Sequence, residues 1–225
     1  MRFEQLAGQY RGATAQAYER ARARQEKWVS EQRIVENYLE TLPEGSSVAD
    51  IPIGTGRFVA AYHRLRLNAA GFDISPDMIA LAAGKACKIG LDLPLHIADI
   101  RSLDAANGAF DAAVCICFLN WIDIDGTRTA LRELTRVTRE TLIIGIRHYT
   151  PFSMLHAATP AGFGQWLLQL GVRIYKLLDR GSLRVHERAD IFAMFGELGL
   201  EVKQQIRVVP RKYGTDYYIY LLKKL

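Results

Sequence analysis

Three aspartates and a pair of glycines are the residues best placed to do chemistry. Asp50 stands late in the apolar run Val48-Ala49-Asp50-Ile51-Pro52-Ile53, which leads directly into Gly54-Thr55-Gly56 and Arg57-Phe58. Gly54 and Gly56 can take positive φ and let the backbone approach a ligand without a Cβ in the way. Asp73 ends a second apolar run, Ala69-Ala70-Gly71-Phe72-Asp73-Ile74, 23 residues after Asp50. An acid at that distance is placed to accept hydrogen bonds from a ribose. Asp99 closes a third run, Leu95-His96-Ile97-Ala98-Asp99-Ile100. Acids at the ends of such strands lie where open α/β sheets bind their ligands.

A second group of candidates follows later in the chain. Arg147-His148-Tyr149 emerges from the end of the apolar run Thr141-Leu142-Ile143-Ile144-Gly145-Ile146, and His186 lies in Arg184-Val185-His186-Glu187-Arg188. Histidine titrates near neutrality, so His148 and then His186 are candidate general bases, although either could simply hydrogen-bond its loop. Cys115 and Cys117 are two apart in an apolar strand and therefore point to one face, as core residues do. With Cys87 as the third cysteine and no Cys-x-x-Cys or His-Cys cluster, neither a metal nor a disulfide framework is indicated.

The elements that must hold these residues alternate between strand and helix. Short apolar strands without polar alternation suit a parallel sheet covered on both faces. Helical spacing runs from Gln9 to Leu42 and stops at Pro43-Glu44-Gly45; a helix is expected over 57–67. Ser75-Pro76-Asp77 is a helix start, with a serine cap, a proline at the first helical position and an acid in the first turn. Phe110 to Phe118 is a fourth strand. The helix expected over 126–139 leaves Arg128, Arg132, Arg136 and Arg139 on a solvated face. A helix over 189–198 and strands over 200–209 and 216–222 close the chain.

Asp50-x-x-x-Gly54-x-Gly56, Gly71-Phe72-Asp73-Ile74-Ser75-Pro76-Asp77-Met78 and Ala98-Asp99-Ile100 together resemble the sequential motifs of class I S-adenosylmethionine-dependent methyltransferases. The resemblance runs from about Tyr10 to Leu225, and its specific part lies between Val48 and Asp123. It implies a doubly wound α/β fold with a mostly parallel seven-stranded sheet whose last strand is antiparallel. It also implies one domain over 1–225, with an N-terminal helical cap over 1–45 and a helical insertion over 149–185. The implied cofactor is S-adenosylmethionine. The glycine loop would pass under its methionine part, Asp73 would hold the ribose hydroxyls and Asp99 would reach the adenine amine. Pro52, Ile74, Met78, Ile100 and Cys117 would complete the pocket, and Tyr18 or Arg20 (with Tyr10 as a further candidate) would reach across from the N-terminal helix. Asn120, Trp121 and Tyr149 fall where acceptor and cofactor meet. The chain departs from the family at Pro52, which stands where a first glycine is usual; proline fixes φ and removes a donor. The two glycines nearest the cofactor remain, and the site reads as intact.

The insertion contains no Asp, Glu, Lys or Arg from Tyr149 to Val172, but Pro151, Pro160, Gly162 and Gly164 argue against a membrane span. Its second half is amphipathic, with Arg173, Lys176 and Arg180 on one face, which suits a lid over the acceptor pocket or a helix lying on an anionic membrane. Net charge is +5 in 225 residues. A basic surface of that size fits plain solvation or an anionic acceptor. Nucleic acid is a poor fit, because Asn120-Trp121-Ile122-Asp123 stands where adenine N-methyltransferases carry Asn-Pro-Pro-aromatic. The expected acceptor is a small molecule, sugar or lipid-linked group, methylated on oxygen or nitrogen. Two competitors follow from the same residues. A nicotinamide-dependent oxidoreductase would want a third glycine, and Arg57, Phe58 and Val59 follow Gly56 instead. A weakly catalytic cofactor-binding module acting through a partner would be consistent with Pro52. The start Met1-Arg2-Phe3-Glu4-Gln5 has no apolar signal core, so a cytoplasmic location is expected.

Overall fold

The computed structural model describes residues 25–149, 185–208 and 215–225, with Ala17 and Arg22 besides. Among them the first helix is α1, Glu26–Leu39. It is followed by β1 (Ser47–Asp50), α2 (Val59–Arg64), β2 (Asn68–Asp73), α3 (Pro76–Lys88) and β3 (Leu95–Ile97). Then come β4 (Phe110–Cys115), a 3₁₀ turn (Leu119–Trp121), α4 (Ile124–Val137) and β5 (Thr138–Tyr149). The chain closes with α5 (Arg188–Glu197), β6 (Leu200–Val208) and β7 (Thr215–Lys224).

The strands form one seven-stranded sheet in the order β3-β2-β1-β4-β5-β7-β6. β1 pairs in parallel with both β2 and β4, and β7 runs antiparallel to both β5 and β6. The order reverses between β1 and β4, so the crevice for a ligand opens outside the carboxyl ends of those strands. Both sheet faces are covered, as the unalternating strand sequences require. One face packs Ala49, Ala113, Leu142 and Ile144 on Leu131 and Leu134 of α4 and Phe195 of α5. The other packs Val48, Val114, Ile143 and Ile219 on Ile34, Val35 and Leu39 of α1. A smaller group, Ile53, Val59, Ala82 and Ala86, joins α2 and α3 under the glycine turn.

Several boundaries differ from the sequence reading for identifiable reasons. β5 does not end at Ile146: β7 supplies ladder partners as far as His148↔Asp216 and Tyr149↔Thr215, so Arg147 and His148 belong to the strand. β3 stops at Ile97, and Asp99 lies beyond it in an isolated bridge with Ser102. α2 is shorter than expected because the glycine turn extends through Phe58. α4 starts earlier, at Ile124, because the Asp123 carboxylate caps it by accepting from the Gly126 N–H at 2.9 Å. Its arginines are also more engaged than a solvated face implies. Arg136 donates to Glu133, to the carbonyls of Leu103 and Ala105 and to Asn107, tying the loop before β4 to the helix. Arg128 pairs with Glu197, and Arg139 with Asp111. No described helix is long and apolar enough to cross a membrane.

Candidate active site

β1 delivers Asp50 into the base of a cavity at the reversal of strand order. Pro52, Ile53, Gly54, Thr55, Arg57 and Phe58 line one wall. Asp73, Ile74, Ser75 and Met78 line a second, and Ile116, Cys117, Phe118 and Trp121 from the end of β4 a third, with Trp28 of α1 reaching in.

Asp73 organises two of these walls. One carboxylate oxygen accepts from the Gly54 N–H at 2.9 Å, and the other accepts from the Ser75 N–H at 2.9 Å. Each oxygen keeps a lone pair for a ligand. Burial pushes the carboxyl above its ordinary value, and the backbone donors of Ser75, Gly54 and Ile74 oppose that. Ser75 also caps α3, its hydroxyl accepting from the Met78 N–H at 3.4 Å with Pro76 next in line. One residue pair therefore joins the glycine turn to the helix that carries Met78.

The two glycines serve different ends. Gly54 has φ +56°, and a Cβ there would meet nothing within 4 Å, so the backbone is bare toward open space. Gly56 has φ +72°, and a Cβ there would stand 2.9 Å from Val59 Cγ2 and 3.0 Å from Ala82 Cα. The first glycine leaves room for a ligand; the second lets α3 pack against the turn.

Asp50 is fully buried, and its Oδ2 has no hydrogen-bond partner among the described residues. Burial above all pushes its carboxyl up to about 7; the Tyr62 hydroxyl and Arg57 pull the other way, while Asp73 adds to the rise. Buried polar atoms normally find partners, so an orphaned acceptor on a cavity wall marks a place where a ligand donor fits. Together, the bare Gly54 backbone, the spare lone pairs of Asp73 and the orphaned Asp50 oxygen fit a nucleoside with a polar, hydrogen-bond-donating tail.

The cavity thus brings together Asp50, Pro52, Gly54, Gly56's turn, Asp73, Ile74, Met78, Cys117 and Trp121. Other expected site residues lie elsewhere. Asp99 does not line it, and its carboxylate is held by its own neighbour Arg101 at 2.6 and 3.0 Å. Ile100 is core. Asn120 is buried, and its side-chain oxygen accepts from the Arg147 N–H at 2.8 Å, fixing the 3₁₀ turn to β5. Neither histidine lines the cavity. His148 is buried in the sheet, 2.7 Å from the Tyr220 hydroxyl, and burial, with Arg188 and His186 adding, lowers its pKa to about 4. His186 sits 2.8 Å from the Leu119 carbonyl and 3.3 Å from the Thr127 hydroxyl. Tyr10, Tyr18, Arg20 and the insertion from Pro151 to Arg184 lie outside the described residues.

The sequence reading missed the cover over the glycine turn. Arg57 stacks on the Trp28 ring at 3.7 Å and donates to the Trp28 carbonyl, to Gln32 at 2.8 Å and to Glu31 at 3.0 Å. These contacts dock α1 on the turn. The available signal was an arginine directly after Gly56 together with a glutamate and a tryptophan three apart on a helix.

Residues 48–141 match the family described as a methyltransferase domain. A dTDP-4-amino-2,3,4,6-tetradeoxy-D-glucose N,N-dimethyltransferase from Saccharopolyspora spinosa is 31% identical over 133 residues, which are 57% of this chain and 47% of that protein. The ubiquinone/menaquinone biosynthesis C-methyltransferase UbiE of Bdellovibrio bacteriovorus is 33% identical over 97 residues, 42% of this chain and 40% of that one. The chain thus spans less than half the length of these curated relatives. Among solved structures, magnesium protoporphyrin IX methyltransferase (ChlM) from Synechocystis PCC 6803 with bound SAH superposes with a TM-score of 0.73, at 17% identity and 99% coverage of both chains. Residues 48–141 thus match a methyltransferase domain, and the 3-2-1-4-5-7-6 sheet with its antiparallel β7 is the class I methyltransferase fold.

Proposed function

We propose that the chain transfers a methyl group from S-adenosylmethionine to a small-molecule acceptor carrying an apolar or aromatic portion. One observation carries this reading. Asp73 braces the Gly54 N–H and the Ser75 N–H in a cavity that is also lined, after β4, by the aromatic Phe118 and Trp121. When bound, S-adenosylmethionine supplies an activated methyl group on a sulfonium. Asp73 would take the ribose hydroxyls, the bare backbone at Gly54 would pass under the amino-acid tail, and Met78 would pack on the base. Phe118 and Trp121, whose indole N–H donates to the Cys117 carbonyl at 3.0 Å, would form the acceptor side.

Alignment is the protein's main contribution. Holding acceptor, methyl carbon and sulfur in line can supply about 7–11 kcal/mol of the barrier. No base is required for an amine or thiol acceptor, which accords with both histidines lying off the cavity. By their names one relative is an amino-sugar N,N-dimethyltransferase and the other a ubiquinone/menaquinone biosynthesis C-methyltransferase, so nitrogen and carbon acceptors are tested beside oxygen. Calorimetry with S-adenosylhomocysteine, followed by acceptor panels read by its formation, tests the reading. Binding of the nicotinamide dinucleotide in its place would overturn it. Tight cofactor binding with no turnover on amino sugars, phenols or quinones would favour the partner-acting module instead.

A further inference from the structure

Cys117 is the one thiol among the described residues that line the cavity, and it does not sit there freely. It follows β4 in the left-handed region, at φ +61°. Its N–H donates to the Tyr217 hydroxyl at 2.9 Å. That hydroxyl reaches it because residue 145 is glycine, where a Cβ would stand 1.9 Å from the phenol oxygen. The thiol itself donates to Glu31 Oε2 at 3.3 Å, with the Tyr217 hydroxyl 3.8 Å from the sulfur. Glu31 is buried between two cations, Lys27 at 2.6 Å and Arg57 at 3.0 Å.

Two cations beside a thiol would by themselves favour the thiolate. Burial of the thiol and the carboxylate between the two cations together reverse that. We propose that Glu31 is a positioning residue: it holds Cys117 as a hydrogen-bond-donating thiol and so keeps a competing nucleophile out of the methyl-transfer cavity. Burial raises the Glu31 carboxyl, but Lys27 and Arg57 outweigh it and leave the group below its ordinary value, so the proton of the pair stays on sulfur. Burial first, then Glu31, pushes the Cys117 thiol up against the opposing pull of Lys27 and Arg57. The proposal rests on the methyl-donor reading of the cavity. A thiolate there would form a carbon–sulfur bond to the donated methyl while the methyl–sulfonium bond broke, its electron pair staying on the departing sulfur. The methyl group would then be lost onto the protein as a thioether. A thiol that keeps its proton on sulfur is a far weaker nucleophile than the thiolate.

The test is alkylation by iodoacetamide across pH 6 to 10, mapped by peptide mass, with exposed Cys87 as internal reference. In the protein with Glu31 in place, the pH midpoint for Cys117 should lie above that of Cys87; a midpoint below it overturns the proposal whatever the variants do. In Glu31→Gln the midpoint should fall by at least about one pH unit, about a tenfold gain in rate at pH 7. Incubated with S-adenosylmethionine and no acceptor, Glu31→Gln should gain one methyl at Cys117, while the unaltered protein and Glu31→Gln/Cys117→Ser should not. If Glu31→Gln binds S-adenosylhomocysteine yet its Cys117 midpoint stays in place, Glu31 only docks the helix and the proposal fails, with the methyl-donor reading intact. Failure of the unaltered protein to bind S-adenosylhomocysteine would remove that reading, and with it the role assigned here.

Discussion

Replacing Asp73 by alanine tests the centre of the site, because the carboxylate has two separable duties. In the protein alone its oxygens accept from backbone N–H groups, Gly54 on one and Ser75 on the other. Hydrogen bonds to a charged group contribute about 1.5–3 kcal/mol each. Burial of the charge opposes them and raises the carboxyl pKa, so a net stability loss of about 2–4 kcal/mol is expected. The second duty uses the remaining lone pairs on ribose hydroxyls. Its loss should weaken S-adenosylhomocysteine by a further ~1.5–3 kcal/mol, or about 10- to 150-fold. Thermal melting reports the first term and calorimetry, on protein shown to be folded, the second. Asp73→Asn separates them, since its amide oxygen can still accept from one backbone donor while its NH₂ cannot accept at all. If Asp73→Ala lowers the melting temperature but leaves affinity within threefold, Asp73 is only a brace for the glycine turn, and the assignment of the cavity to a nucleoside fails.

The remaining predictions use the same geometry. Asp50 has a folded pKa of about 7, above its unfolded value, so the folded state binds the extra proton and stability falls as pH rises from about 4 to 7. Asp50→Asn should flatten that fall and stabilise the unliganded protein at pH 8 by an amount on the order of 4 kcal/mol, read as the difference between urea midpoints of the two proteins; an unchanged slope would refute it. Gly54→Ala should cost about 1–2 kcal/mol of stability from its positive φ and act mainly on cofactor affinity. Gly56→Ala should cost more stability, because its Cβ would press on the Ala82 backbone; equal melting temperatures would contradict the division. Deleting residues 151–184 should leave S-adenosylhomocysteine affinity within about threefold, since every described cavity residue lies outside it, while methyl transfer is lost; joint loss of both would make the segment part of the cofactor site. His148→Gln, if folded, should leave the pH–rate profile without a missing limb near pH 6–7, whereas loss of such a limb would make it the base.

The parts of the site that were legible in the sequence are those written locally. Gly54, Gly56 and Asp73 lie within 20 residues of one another, and the Ser75-Pro76-Asp77 cap announces the helix that follows. Their roles depend on turn chemistry and strand ends, which short motifs encode. His148 was harder, because whether a residue at the end of a strand faces a ligand or stays in the ladder depends on its partner strand. Here the partner is β7, contributed by residues about 70 positions later. Asp99 posed a similar problem: a three-residue strand releases it early enough for Arg101 to take its carboxylate.

The cover of the cavity could not be read in this way. Glu31 meets Cys117 across 86 residues, and Cys117 meets Tyr217 across 100. Nothing in the spacing of this helix distinguishes the one glutamate that becomes buried from its exposed neighbours Glu26 and Glu40. What distinguishes it is the charge it must neutralise. Arg57 emerges from the glycine turn into a place covered by α1, and an arginine so covered needs a carboxylate on the covering face. The glycine motif that binds the ligand therefore also sets the requirement for the helix over it. The same carboxylate then faces the one thiol among the described cavity residues, so the residue that closes the site also fixes the protonation of its nearest nucleophile.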